Sequence, residues 1–188
     1  MRKRVVILAS GAGSLTQAIV DASELEIQIV AVVSDNPRAA VLERAKKARI
    51  NTSVVELNGN RQDWDKQLFD EVKKYQPDLV VSAGFMKILS AEFVSHFPTI
   101  NSHPALLPQF PGAHAVRDAL AAGVSITGTT VHWVDAGVDT GPIITQMEVP
   151  VLPEDNEESL HERIKNIERG LIVATIALII PTLETISQ

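Results

Sequence analysis

Apolar positions along this chain fall into two kinds of run that alternate. Residues 4–9 are β-branched and nearly continuous, as in a strand buried on both faces, and Ser10-Gly11-Ala12-Gly13-Ser14 then interrupts them. A helix over 14–22, a strand over 29–34 and a helix over 38–48 follow, the last led by Asp35-Asn36-Pro37 as an N-terminal signal. Residues 54–57 read as a third strand. Helical spacing of Trp64, Leu68 and Val72 predicts a helix over 61–75 ending before Pro77, and 79–83 supply the next strand. This β-α-β-α-β-α-β order predicts an α/β fold with a parallel sheet, right-handed crossovers and helices on both faces. Ligands then belong at the carboxyl ends of the strands.

From 100 to 112 the pattern changes, with Pro104, Pro108 and Pro111 in the segment and Pro98 just before it. Regular structure is not expected there, and a long stiff loop in a compact domain is usually functional. After a helix over 113–122, residues 126–134 and 143–149 read as strands. A long helix runs from 156 onward, with Leu160, Ile164, Ile167, Leu171, Ala174 and Leu178 as its apolar stripe. Neither a repeat nor a linker divides the chain. The expectation is one domain over 1–188, with a phosphate- or nucleotide-binding half over 1–100 and the loop, later strands and last helix over 101–188.

Composition narrows the partners. A length of 188 residues, 45% hydrophobic and 21% charged, suits one folded unit. A net charge of -6 and a pI of about 5.3 argue against a generally basic nucleic-acid surface, leaving room for a local phosphate patch. The chain has no cysteine, which excludes disulfides and thiolate metal sites. The basic start Met1-Arg2-Lys3-Arg4 is not followed by a signal peptide's apolar region and cleavage site. The apolar stretch 171–180 is about half the ~20 residues that span a bilayer. A cytoplasmic protein with no membrane and no nucleic-acid partner is expected.

Three clusters carry candidate chemistry. The turn at Ser10 to Ser14 follows a strand and opens a helix, where free N–H groups and the helix dipole can hold a phosphate. Thr16 stands where a third glycine of G-x-G-x-x-G would be, and Asp35 lies where a ribose-binding acid would. The same turn also reads as a merely tight β-α connection. In Asn101-Ser102-His103-Pro104, alternation sends Asn101 and His103 to one side, so an amide and an imidazole can meet one oxygen, while Ser102 points away. Alone, Asn-x-His reads equally as structural. Between two later strands, Asp135 and Asp139 are turn formers or partners for His103. A carboxylate beside His103 would favour imidazolium and raise its pKa from about 6.5. Such a set is a general acid/base with an oxyanion donor and no nucleophile. Of the other histidines, His132 is as readily packed as functional, His96 and His161 read as surface residues, and His114 lines the site or caps a helix. No His, Asp or Glu pair shows a recognised metal-ligand spacing.

Taken in order, Ser10-Gly11-x-Gly13-Ser14, the 83–89 run Ala-Gly-Phe-Met-Lys-Ile-Leu, Asn101-x-His103-Pro104-x-Leu106-Leu107-Pro108 and Asp139-x-Gly141-Pro142 resemble the folate-dependent glycinamide ribonucleotide formyltransferases. The resemblance spans almost the whole chain. It implies a single-domain formyltransferase fold, a Rossmann-like parallel sheet flanked by helices with an antiparallel C-terminal extension. It implies transfer of the formyl group of 10-formyltetrahydrofolate, a co-substrate, to the amine of glycinamide ribonucleotide in purine synthesis, with no metal. Asn101, His103 and Asp139 would then be catalytic. Gly13, Ser14, Leu15 and Glu168 would bind the ribonucleotide, and Arg61, Met86, Lys87, Ile88, Leu89 and Asn101 the folate. A homodimer is compatible with the resemblance. The family's hydrolase and tRNA-formylating branches usually carry a further domain that this chain is not expected to have, and a nucleotide-binding module using the glycine turn alone would leave the 101–112 loop unexplained. The chain departs from many relatives in Leu15-Thr16, where asparagine is common at 15, in Lys87 for arginine, and in ending at Gln188 without a longer tail.

Overall fold

A computed structural model describes residues 2–183; the expectations for the Met1 start and the Gln188 end lie outside the described residues. Seven strands form one sheet in the order β3-β2-β1-β4-β5-β6-β7. They are β1 (Lys3–Leu8), β2 (Ile27–Ser34), β3 (Asn51–Val54), β4 (Leu79–Ser82), β5 (Thr99–His103), β6 (Ile126–Trp133) and β7 (Ile143–Pro150). The helices are α1 (Ser14–Asp21), α2 (Ala40–Lys47), α3 (Arg61–Lys73), α4 (Ala91–His96), α5 (Ala115–Ala121) and α6 (Glu157–Ile179). β1 to β5 pair in parallel, and β6 and β7 add antiparallel strands, giving the expected α/β sheet with its antiparallel extension. None of the described helices is long and apolar enough to cross a membrane.

The central strands are buried on both faces, which is why their sequences are unbroken apolar runs. Val5, Ile7, Leu79, Val81 and Ile100 face a core closed by α1, α2 and α6, whereas Val6, Leu8, Val80, Trp64, Leu68, Phe93 and Phe97 form the core on the other face. Each face buries enough aliphatic surface to fix the strand registers, because a one-residue slip would turn every core side chain the wrong way.

Four departures from the sequence expectations have physical causes. β3 lies at 51–54 rather than 54–57, since it is an edge strand paired only with β2 and only partly buried, so the β-branched pair Val54-Val55 marks its end. α2 starts at Ala40 rather than at 38. Asn36 closes a turn instead of capping the helix: its Oδ1 accepts from Arg38 N–H at 3.0 Å and its carbonyl from Ala39 N–H at 3.1 Å. α4 has six residues and one buried side chain, too short for periodicity to show. In α6, Ala174 and Leu178 are exposed, and the buried positions run through Leu160, Ile164, Glu168, Ile172 and Ile176. Steps of four advance about 40° each around a helix. The buried face therefore turns from the cluster of Val116 and Val149 toward the cluster of Leu15 and Ile19. Its start is as expected, with Asn156 and Ser159 forming a reciprocal capping box.

Candidate functional site

A cavity of about 570 Å³ opens at the carboxyl ends of β1, β4 and β5, where the sheet order reverses direction. The first wall is the turn after β1. Gly13 sits at φ 76°, and a Cβ there would lie 2.5 Å from Val41 Cγ2, so both backbone conformation and the packing of α2 require glycine. α2 also takes the turn's carbonyls: Val41 N–H donates to Gly11 O at 3.1 Å and Arg44 Nε–H to Ala12 O at 2.8 Å. The backbone N–H groups from Gly11 to Thr16 have no protein partner among the described residues. Unmatched N–H groups at the start of a helix suit an anion. Leu15 is buried and Ser14 lines the cavity.

The second wall is the segment after β4. Phe85 stacks on Trp64 of α3, with ring centroids 6.3 Å apart, while the Met86 and Ile88 side chains are 63% and 54% exposed along the opening. Met86, Lys87, Ile88 and Leu89 all line the cavity. Arg61 does not. Its guanidinium lies over the Trp64 ring, pairs with Asp65 and donates to the Ile88 carbonyl, so it holds this segment from behind.

β5 supplies the third wall, and alternation along it divides the side chains as expected. Ser102 Oγ–H donates to Glu168 Oε1 at 2.8 Å on the α6 side, whereas Asn101 and His103 meet Asp139 on the other. Asp139, in the β6–β7 loop, adopts φ 54°, a left-handed conformation that Asp and Asn tolerate. One of its oxygens, Oδ2, accepts Gly112 N–H at 2.8 Å and lies 3.3 Å from His103 Nδ1. The other, Oδ1, lies 3.5 Å from both Asn101 Nδ2 and His132 Nε2. His103 Nε2–H donates to the carbonyl of Phe110 at 2.8 Å. Both ring nitrogens of His103 thus face acceptors, and only the imidazolium can donate to the two at once.

Burial nevertheless dominates, holding the His103 pKa below its ordinary 6.5 against the raising effects of the Asp139 carboxylate and the Phe110 carbonyl. The sequence expectation of a raised value is therefore corrected, because a carboxylate at this distance does not offset the desolvation of a ring that is 3% exposed. For Asp139, burial pushes upward, but the His132 side chain, the Gly112 N–H and His103 outweigh it and hold the carboxylate below 3.8. Glu168 behaves oppositely. It is 4% exposed, and burial raises its pKa above 4.5 despite the hydroxyls of Ser102 and Thr129.

Among residues that sequence reasoning left undecided, His132 belongs to the cluster. It pairs opposite Asn101 across the strands, accepts from or lies against the Asn101 amide at 3.3 Å, and donates Nδ1–H to Trp133 O at 2.8 Å. The cross-strand register that brings it there is not visible locally. His161, expected at the surface, lines the cavity beside Lys165 and Glu168 on one face of α6. His96 is exposed against Phe69 and Phe97, and His114 flanks α5 without a side-chain cap. Among the described residues, no group of three or more His, Cys, Asp or Glu is arranged to hold a metal ion.

The chain is similar to known proteins over most of its length. The formyl transferase family model matches residues 3–176. A phosphoribosylglycinamide formyltransferase of Mycobacterium tuberculosis is 51% identical over 180 residues, covering 93% of this chain and 83% of that protein. The protein of the same name from Escherichia coli is 41% identical, covering 92% and 85%. The crystal structure of glycinamide ribonucleotide transformylase 1 from Symbiobacterium toebii superposes with a TM-score of 0.93 at 38% identity, over 96% of this chain and 88% of that one.

Proposed function

The chain belongs to the formyl transferase family, and from that premise we propose that its cavity holds glycinamide ribonucleotide and 10-formyltetrahydrofolate together and moves the formyl group between them. The activity is that of a phosphoribosylglycinamide formyltransferase, an enzyme of purine biosynthesis. The observation that carries the site assignment is one cavity whose opposite ends offer what each substrate needs: unmatched N–H groups at the glycine turn, and an apolar, backbone-lined segment at 86–89.

In this reading the substrate phosphate rests on the N–H groups of Gly13, Ser14 and Leu15, with Lys165 on the facing helix as the nearby cation. Glu168, a buried carboxylate, accepts from ribose hydroxyls. The folate's flat ring lies along Met86, Lys87, Ile88 and Leu89, with Arg61 fixing that segment through the Ile88 carbonyl instead of touching the ligand. The residues up to 100 supply the glycine turn and the folate segment, and those from 101 the chemistry together with the α6 side chains that face the ribonucleotide.

The substrate amine attacks the formyl carbon, its C–O double bond opens to an oxyanion, and the bond to the folate nitrogen breaks as that nitrogen gains a proton. Asn101 donates its amide hydrogen to the oxyanion, and His103 imidazolium keeps Nδ1–H on Asp139 while Nε2–H exchanges the Phe110 carbonyl for the oxyanion. Asp139 opposes the desolvation of that cation and orients the ring. The attacking amine loses one proton and keeps the other in the product amide, the folate nitrogen takes up one, and the carbonyl re-forms as the bond to that nitrogen breaks, so His103 ends as the imidazolium it began as. Such positioned acid/base groups are worth about 10²–10⁴-fold, so His103→Ala should lose that factor in kcat while remaining folded. We place the reaction in the cytoplasm and without nucleic acid, and a homodimer is compatible with this reading.

The test is tetrahydrofolate release by the purified protein with and without glycinamide ribonucleotide. Release that requires the amine is expected. Equal release in its absence would mean hydrolysis of the formyl folate instead.

A further inference from the structure

Segment 84–89 has no regular secondary structure, and its place depends on a few ties. Two come from α3, the Phe85–Trp64 stack and the Arg61 bond to the Ile88 carbonyl. The others come from the phosphate side of the cavity. Ser10 N–H donates to the Gly84 carbonyl at 3.1 Å, and Met86 N–H donates to Ser10 Oγ at 2.8 Å. Beyond them, Lys87 Nζ lies 3.4 Å from Asp35 Oδ2, at the end of β2.

Ser10 is therefore common to both walls. It is the first residue of the glycine turn, and two of its atoms, N–H and Oγ, join that turn to the segment, while its carbonyl accepts from Asn36 Nδ2 at 3.4 Å in the turn after β2. The Met86 N–H has no other partner among the described residues. Without the Ser10 hydroxyl that donor turns to water, and the most exposed part of the segment loses its tie to the turn.

We propose that Ser10 is a positioning residue that couples the two substrate sites: an anion that orders the glycine turn fixes the Met86 amide, and a ring held by the folate segment steadies the turn. The proposal rests on the assignment of the two ligands above. Ordering paid once by the first ligand is not required again of the second, so each should raise the other's affinity by the same factor.

Tetrahydrofolate carries no formyl group, so it can be titrated beside glycinamide ribonucleotide without reaction. Each ligand is titrated alone and in the presence of saturating amounts of the other, using calorimetry or ligand fluorescence. In the unaltered protein each should tighten the other by at least about fivefold, the low end of ordinary site coupling. Ser10→Ala should reduce the factor to less than twofold, and Ser10→Thr, which keeps the hydroxyl, should retain most of it. A residue needed only for folding would weaken both ligands alone and leave their ratio intact. The proposal is overturned by a factor below twofold in the unaltered protein, or by undiminished coupling in Ser10→Ala. If either ligand alone fails to bind the unaltered protein, the functional reading itself is wrong.

Discussion

Replacing Asp139 with asparagine removes a charge and little else. At φ 54° asparagine is among the few residues at ease, and its amide oxygen can still accept Gly112 N–H and face His103 Nδ1 as the carboxylate's Oδ2 does at 2.8 and 3.3 Å. The new NH₂ then takes the position of Oδ1, 3.5 Å from His132 Nε2, where it shares that nitrogen with the Asn101 amide. What is lost is Coulombic. Unit charges 3.3 Å apart at an effective dielectric near 20 attract by ~5 kcal/mol, an upper bound because the amide dipole and solvent recover part of it. Neighbouring opposite charges ordinarily change a partner's protonated fraction by about 10- to 10³-fold at fixed pH. Burial already holds the His103 pKa below 6.5, and the substitution removes one of the two groups that resist it, so the value moves further down. At neutral pH, kcat should fall by about 10- to 10³-fold, with activity partly restored as pH is lowered. The assays are the pH profile of kcat and an NMR titration of the His103 ring. A ring that titrates where it did before, or an unchanged kcat profile in folded protein, would refute the argument that Asp139 acts through the charge of His103.

Three further outcomes follow from the same geometry. Because burial raises the Glu168 pKa, its ionised form opposes folding: the stability present below pH 4.5 is lost as pH rises through the raised value. Glu168→Gln should therefore raise Tm at neutral pH, by about 2–4 °C per kcal/mol relieved, yet weaken ribonucleotide binding, and the Tm gain should vanish in acid; calorimetric scans across pH check the sign. Ser102→Ala should keep kcat within about threefold while raising KM for the ribonucleotide, since its hydroxyl serves Glu168, and a lost kcat in folded protein would point to a role of that hydroxyl in the chemistry. Leu15→Asn should change KM for the ribonucleotide by less than about fivefold, roughly one kcal/mol, whereas Gly13→Ala should do more harm, because its Cβ meets Val41 at 2.5 Å; separate titrations of the two ligands check that the damage stays on the phosphate side.

What the sequence revealed is what short-range periodicity controls. The apolar runs of β1 and β4 identified themselves because burial on both faces leaves no room for polar residues, and period-two alternation alone separated Ser102 from Asn101 and His103. Long-range pairing was out of reach. His132 joins the cluster through its register opposite Asn101, and Arg61 turns from the cavity because Trp64 and the Ile88 carbonyl offer it better partners. The direction of the His103 pKa depended on how much water the fold removes, and no spacing encodes that. Without the family resemblance, spacing leaves Glu168 a solvated or stripe-edge carboxylate, since the rotation of α6's buried face appears only once both of its core clusters are in place.

β5 is one residue thick between two sets of functional groups. Its odd positions, Asn101 and His103, serve one side, and the even Ser102 serves the other through Glu168. Function in this strand is thus addressed by parity. A single-residue insertion or deletion ahead of Thr99 that the sheet absorbed by sliding β5 one step would preserve hydrogen bonding to β4 and β6 but exchange the two sets of side chains between the faces. Substitutions here can be graded; length changes cannot. Over evolutionary time the connection from α4 into β5 should keep a fixed count, a constraint that comes from the pleat and is separate from the one that Phe97's place in the core puts on residue type.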